Sequence, residues 1–206
     1  MGPLRGPFWY HYLTMTIPEL KSDLIFTSQL LGKPLAFHST WGLFSPKAID
    51  EGTQLLLDHL NVPANSAVLD LGCGYGPLGI AIAAAHPTSS VHMVDKDYIA
   101  VDYARKNTEL NHLTNASAYL SNGFSEVPHD QMFDLVISNV PAKIGSELLT
   151  IFLHDAFAHL NPGGTLYIVT ISGLKEYMKR NLTEVFGNYE KLKQSKTYTA
   201  ARARKQ

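Results

Sequence analysis

Val68-Leu69-Asp70-Leu71-Gly72-Cys73-Gly74-Tyr75-Gly76-Pro77-Leu78-Gly79 passes from an apolar run through three glycines in five residues into a segment headed by proline. An apolar run of this length reads as a strand, and proline at a first helical position reads as a helix start. Glycines between the two tolerate positive φ and let a ligand approach the backbone with no Cβ in the way, while the helix behind them presents free N–H groups. The turn therefore predicts a site for a nucleoside-bearing ligand. Its spacing is Gly-x-Gly-x-Gly. The dinucleotide fingerprint Gly-x-Gly-x-x-Gly is approached only in another register, Gly74 through Gly79, and no partners for hydride transfer accompany it, which disfavours an NAD-dependent oxidoreductase.

Outward from this turn the chain alternates short apolar runs with helical stretches. Strands are expected at 67–71, 91–94, 117–120, 133–138 and 165–171, and helices at 77–85, 98–111, 147–160 and 173–186, before two closing strand-like pieces. Leu135-Val136-Ile137 and Tyr167-Ile168-Val169 are apolar without alternation, as strands covered on both faces are. The expected class is α/β, with parallel strands joined by crossover helices. Upstream, two extended runs over 24–40 flank Leu31-Gly32-Lys33-Pro34 and predict a β-hairpin, followed by a helix over 47–60. The expected organisation is an arm over 1–21 and one domain over 22–206 that includes the hairpin. Met15 is a possible alternative start.

Two carboxylates flank the glycine turn. Asp70 precedes it within the strand, and Asp95 ends the next strand, where a carboxylate accepts from both ribose hydroxyls. Asp97 is the neighbouring alternative; ribose binding is assigned to Asp95 and helix capping to Asp97.

Asp70-Leu-Gly-Cys-Gly-Tyr-Gly resembles motif I of the class I S-adenosyl-L-methionine-dependent methyltransferases. The stretch His38-Ser-Thr-Trp-Gly-Leu-Phe-Ser-Pro-Lys-Ala-Ile-Asp-Glu-Gly-Thr-Gln-Leu-Leu-Leu resembles the segment before motif I in the small-subunit ribosomal RNA guanine-N2 methyltransferases and their single-domain archaeal relatives. The resemblance covers about 22–200. It implies a Rossmann-like seven-stranded sheet, mostly parallel with an antiparallel last strand, helices on both faces, and the hairpin as an N-terminal extension. It also implies that Asp70, Gly72, Gly74 and Gly76 surround the methionine part of S-adenosyl-L-methionine and that Asp95 holds its ribose. Asn122 and Phe124 fall where the family contacts adenine, although Asn122-Gly123 is equally a good turn dipeptide. Trp41, Phe44 and Lys47 would form a flap at the cofactor's mouth, the alternative being that the two aromatic rings anchor the hairpin.

After the strand at 133–138 comes Asn139-Val140-Pro141-Ala142-Lys143, at the edge of the sheet where ligands bind in such folds. By the resemblance this is the Asn-Pro-Pro-aromatic motif of enzymes that methylate a planar amino group. There the Asn side chain and the next backbone carbonyl accept the amine's hydrogens and aim its lone pair, which assigns catalysis by positioning to Asn139, Val140 and Pro141. Val140 replaces the first proline and Ala142 the aromatic, so the loop is expected to be less pre-organised and to lack a stacking surface. The reading is N-methylation of a ribosomal RNA guanine on free RNA or a ribosomal particle. The alternatives are a small-molecule or protein methyltransferase and a non-catalytic RNA-binding module.

Composition fits. The chain has 206 residues, 45% hydrophobic and 17% charged, which excludes a disordered protein. One cysteine, Cys73, allows no internal disulfide and reads as packing within the turn; the nine histidines show no metal-ligand spacing, and no metal is expected. No run is long and apolar enough to span a bilayer, so a cytoplasmic setting is expected, with no membrane partner. Net charge is −1, yet 174–206 carries nine Lys/Arg against three Glu, a local +6 that leaves −7 elsewhere. This basic end reads either as a phosphate-contacting surface or as a solvated helix with a frayed tail, Ala201 to Gln206.

Overall fold

The computed structural model describes residues 23–141 and 145–206. The proposed arm over 1–21, Met15, Ala142 and Lys143 lie outside the described residues. A hairpin of β1 (Leu24–Leu30) and β2 (Lys33–Ser39) comes first, then α1 (Glu51–Leu57), β3 (Ala67–Leu71), α2 (Pro77–Ala85), β4 (Ser90–Asp95), α3 (Tyr98–Leu110) and β5 (Ala116–Leu120). The second half runs β6 (Phe133–Asn139), α4 (Ser146–His159), β7 (Leu160–Ile171), α5 (Lys175–Phe186), β8 (Glu190–Gln194) and β9 (Tyr198–Arg204).

Seven strands form one sheet in the order β5-β4-β3-β6-β7-β9-β8. The strands β3 to β7 pair in parallel, and β9 runs antiparallel to both of its neighbours. This is the expected seven-stranded sheet with its reversed strand. Chain direction across the sheet reverses between β3 and β6, the position where open α/β sheets bind ligands.

Alternation along the strands feeds two apolar layers. Val68, Val91, Met93, Leu135, Ile137, Tyr167 and Val169 face one, with α1, α2 and the hairpin. Leu69, Leu71, Val94, Val136, Leu166 and Ile168 face the other, with α4 and α5. Because both faces are covered, the sequence of these strands shows no polar side. Helix α2 is likewise buried nearly all round, since it lies between the sheet and the hairpin.

The hairpin is fastened to α3 by two asparagines. Asn107 bonds both the N–H and the C=O of His38, at 2.7 and 2.8 Å, and Asn111 bonds both groups of Ala36, at 3.0 and 2.8 Å. Four helical residues rise about 6 Å and two strand residues about 6.6 Å, so amides spaced i, i+4 match backbone groups spaced i, i+2. The helix thus supplies the hydrogen bonds of a missing strand and blunts the edge of β2. Asn107 also donates to the Tyr75 carbonyl at 2.9 Å, and Phe26, Phe37 and Tyr75 pack ring to ring. The hairpin therefore braces the glycine turn.

Three expectations shift. The helix at 47–60 shortens to Glu51–Leu57, because the Asp50 side chain accepts from Gly52 N and Thr53 N and starts the helix there. Strand β7 begins at Leu160, but 161–164 are bulged out, as Phe133 pairs with Leu160 and Leu135 next with Thr165. The tail is no frayed end: 201–204 belong to β9, with Ala201 and Ala203 buried between two strands.

Candidate functional site

The carboxyl ends of β3, β4 and β6 and the antiparallel start of β9 converge on a cavity of about 670 Å³, within the range of about 300–1,000 Å³ usual for small-molecule sites. Its floor is the glycine turn. Gly72, Gly74 and Gly76 all have positive φ, at +73°, +57° and +93°. A Cβ built on Gly72 or Gly74 would meet no protein atom within 4 Å. Both glycines line the cavity, so the space a side chain would fill is left to a ligand. Gly72 N and Cys73 N donate to Val94 O at 2.8 and 2.9 Å and fix the turn against β4.

Asp95 stands on the wall beside this floor. One carboxylate oxygen accepts from Gly74 N and the other from Asp97 N, both at 2.9 Å. Each oxygen keeps a lone pair, which gives two acceptors side by side for vicinal hydroxyls. Asp97 caps α3 by accepting from Ile99 N at 2.8 Å, the role assigned to it. Asn122 and Gly123 line the far end of the cavity together with Leu148 and Phe152 of α4.

Asp70, Gly76 and Phe124, which the resemblance places around the cofactor, are not among the residues that line the cavity. Asp70 is 1% exposed and accepts from Gly79 N at 2.8 Å, so it pins the first turn of α2 to β3. Burial pushes its carboxyl up to about 7, against the Gly79 hydrogen bond and with a further upward push from the Asp95 charge. Gly76 is the residue before α2, where a Cβ would come 2.8 Å from Ile80 Cδ1. Phe124 turns away after Gly123, stacks on His159 with ring centroids 4.8 Å apart and joins the apolar layer beneath α4. Phe152 takes the wall position instead, a role that helical periodicity alone does not distinguish from core packing.

Cys73 lines the cavity, but burial, then the charges of Asp70 and Asp95, push its thiol well up and leave it un-ionised. Phe44, 63% exposed, lies at the mouth with Ser45, and the Tyr75 hydroxyl holds that segment with its single hydrogen shared between Ser45 O at 3.1 Å and Ala48 O at 3.3 Å. Lys47 instead lies over the Trp41 ring, 4.5 Å from its centroid, and neither residue lines the cavity.

The register Asp70 to Ile137 places Asn139 level with Gly72 across the reversal point of the sheet. The side-chain nitrogen of Asn139 donates to Asp50 Oδ2 at 2.9 Å and to Thr53 Oγ1 at 3.1 Å. A carboxylate only accepts, so the amide's NH₂ must face Asp50, and its carbonyl oxygen is the group left to accept. Val140 and Pro141 complete this wall. Val140 makes good part of what its missing proline ring would supply: its N–H donates to Val169 O at 2.9 Å, a bond proline lacks, and its side chain is buried in the layer under α4.

Asp50, Thr53 and Tyr198 also line the cavity, and no motif in the sequence marks them as site residues. The Asp50-Glu-Gly-Thr piece contributes to the family resemblance without implying a role, and nothing local marks a tyrosine 148 residues away. Asp50 and Asp95 against Lys96 leave the wall acidic, which complements a cationic ligand. The basic end divides: Arg204 and Lys205 bond backbone carbonyls of Gly163, Ala158 and Leu160 at the opposite end of the sheet, whereas Lys196 is two residues from Tyr198 at the cavity. Among the described residues no helix is long and apolar enough to cross a membrane.

Residues 34–202 match the family described as Methyltransferase small domain. A Bacillus subtilis (strain 168) protein named Uncharacterized protein YbxB is 32% identical over 192 residues, covering 91% of this chain and 95% of that protein. Ribosomal RNA small subunit methyltransferase C of Haemophilus influenzae (Rd) is 34% identical over 90% of this chain and 57% of its own length. The solved T. thermophilus 16S rRNA N2 G1207 methyltransferase, in complex with AdoMet and guanosine, superposes with a TM-score of 0.82 at 30% identity, covering 89% of this chain and 51% of that one. The chain thus spans about half the length of the ribosomal RNA methyltransferases it matches.

Proposed function

The chain belongs to the methyltransferase small domain family, and on that premise we propose that it transfers a methyl group from S-adenosyl-L-methionine to the exocyclic amine of a guanine in ribosomal RNA, in the cytoplasm. The observation that carries the reading is the Asn139 amide, its nitrogen occupied and its carbonyl oxygen left over, on the wall of a cavity floored by two glycines open to a ligand.

The residues fit the cofactor. Gly72 and Gly74 leave backbone room, Asp95 offers two acceptors for ribose hydroxyls, and the acidic wall suits a sulfonium. S-adenosyl-L-methionine supplies an electrophilic methyl group, so transfer to a neutral amine breaks one C–S bond, forms one C–N bond and releases one proton. The protein's contribution is orientation. Asn139 Oδ1 and the Val140 carbonyl accept the two hydrogens of a planar amine, which turns its lone pair out of the base plane, and the fixed geometry replaces a search in solution. Lys196, exposed and two residues from cavity-lining Tyr198, supports a phosphate-bearing acceptor, and the names of the relatives support ribosomal RNA.

Ribosomal particles from a strain lacking the gene, incubated with the protein and radiolabelled S-adenosyl-L-methionine, should gain label recovered as N2-methylguanosine. Particles from the parent strain should gain little. Equal labelling of both, or label in no nucleoside, overturns the reading.

A further inference from the structure

Three distant elements meet on one carboxylate. Asp50 Oδ2 accepts from Gly52 N at 2.8 Å, Thr53 N at 3.3 Å and Asn139 Nδ2 at 2.9 Å, and Oδ1 accepts from Tyr198 Oη at 2.8 Å. Capping α1 needs only the first two bonds, and Ser, Thr or Asn supplies them as well. The other two reach β6 and the start of β9, and all three residues lie on the cavity wall. Gly52 is shaped to this meeting: a Cβ there would come 2.8 Å from Asp50 Oδ2 and 2.9 Å from the Tyr198 ring.

Resting on the acceptor reading above, we propose that Asp50, held by Tyr198, is a positioning residue of the transfer site, which fixes and polarises the Asn139 amide so that its carbonyl oxygen receives the acceptor amine. The orientation follows from donor counting. Both hydrogens of Asn139 Nδ2 are taken, one by Asp50 and one by Thr53, so the amide cannot turn over without setting its oxygen against a carboxylate. The polarisation follows from charge: a hydrogen bond from N–H to a carboxylate draws electron density toward the far end of the amide, and hydrogen bonds to charged groups are the strong ones. The acceptor amine gains positive charge as its new bond forms, so a stronger acceptor at Oδ1 favours the transition state over the ground state. Tyr198 remains a donor throughout, since burial, the hydrogen bond to Asp50 and the charges of Asp50 and Glu51 raise its hydroxyl to about 12.

Asp50→Asn keeps a good cap and removes the charge; Tyr198→Phe removes the outer donor. The expected result is a kcat lower by about 10–100-fold in Asp50→Asn and about 3–10-fold in Tyr198→Phe, the range for losing a charged and an outlying hydrogen bond. Affinity for S-adenosylhomocysteine stays within about twofold, because neither residue bonds the glycine turn or Asp95. In an Asn139→Ala background, Asp50→Asn should cost nothing more. A solely structural cap would lower Tm in both backgrounds and leave kcat alone. Independently of turnover, the Asn139 side-chain NH₂ signal, assigned by its loss in Asn139→Ala, should be downfield and protected from exchange in the wild type, and neither in Asp50→Asn. Wild-type kcat in both single variants, an equal further loss in the Asn139→Ala background, or an unchanged NH₂ signal overturns the proposal. A wild-type protein that methylates no ribosomal RNA overturns the acceptor reading instead, and the NH₂ signal then decides the Asp50 to Asn139 link alone.

Discussion

Gly74→Ala adds one methyl group to the floor of the cavity, and two of its effects can be separated by magnitude. Gly74 has φ +57°, so alanine there carries the left-handed penalty, about 1–2 kcal/mol. Part of this is offset because alanine also restricts the unfolded chain, by about 0.4–1 kcal/mol. The new Cβ meets no protein atom within 4 Å, so no packing cost is added. The net loss is about 1 kcal/mol, which for a chain of this length lowers Tm by about 2–4 °C. Affinity should suffer more. A methyl group in the space of a bound cofactor costs about 1–3 kcal/mol as overpacking, and a lost backbone contact about 1 kcal/mol more. Together they predict S-adenosylhomocysteine binding weaker by about 30- to 1,000-fold. Gly79→Ala provides the contrast. Its φ needs no glycine, but its Cβ would come 2.5 Å from buried Met93 Cγ, beside the Asp70 oxygen that holds Gly79 N. Alanine's better helix propensity returns about 1 kcal/mol of a packing cost of about 1–3 kcal/mol, and Gly79 does not line the cavity. This variant should therefore lose stability with little change in affinity. Calorimetric titration and thermal melts on both variants check the pair. Wild-type affinity in Gly74→Ala would refute the placement of the ligand on this turn.

Further outcomes follow from the same geometry. Asp95→Ala removes two acceptors and should weaken S-adenosylhomocysteine binding by about 10–100-fold; calorimetry that finds no change sinks the ribose assignment. Asp70 titrates near 7 in the folded chain against 3.8 as the ordinary value, so between these pH values the folded state holds more protons than the unfolded state. Stability from this group is therefore lost as pH rises from about 4 to 7, by an amount on the order of 3 kcal/mol. Urea melts from pH 4 to 8 should show that fall relative to Asp70→Asn, and parallel curves would contradict it. If ribosomal RNA is bound at the cavity rim, Lys196→Ala should lower the salt dependence of binding by about 0.7–0.9 in log–log slope. Lys205→Ala should not, because Lys205 bonds Ala158 O and Leu160 O at the far end of the sheet. Filter binding across a salt series separates the two, and equal slopes would move the RNA surface elsewhere.

Legibility varied with the range of the interaction. The turn from Leu71 to Gly79 and helices α2 and α3 were readable because glycine φ, proline at a helix start and an Asp cap act over a few residues. Boundaries drifted where a distant partner intervened. The bulge at 161–164 depends on the pairing of β7 with β6, whereas the start of α1 after Asp50 is set by a local cap that an expected start at 47 passes over. Phe124 shows the same limit, since residue type does not say whether Phe124 or Phe152 meets the cavity and only the folded turn at Gly123 and the placement of α4 decide it.

Beyond the seven-stranded sheet that its family resemblance implies, the amino-acid sequence was enough for the α/β class, the glycine floor, and Asp95 and Asn139 as the polar groups at two strand ends. These are properties of residue type and period, written locally. Only the folded chain shows that Asp50, Thr53 and Tyr198 join Asn139, that Asp70 holds a helix and is not among the residues lining the cavity, and that Arg204 and Lys205 of the basic end lie away from it. The physical reason is distance along the chain. A hydrogen bond across 89 or 148 residues exists only once the sheet has brought its strand ends to one edge.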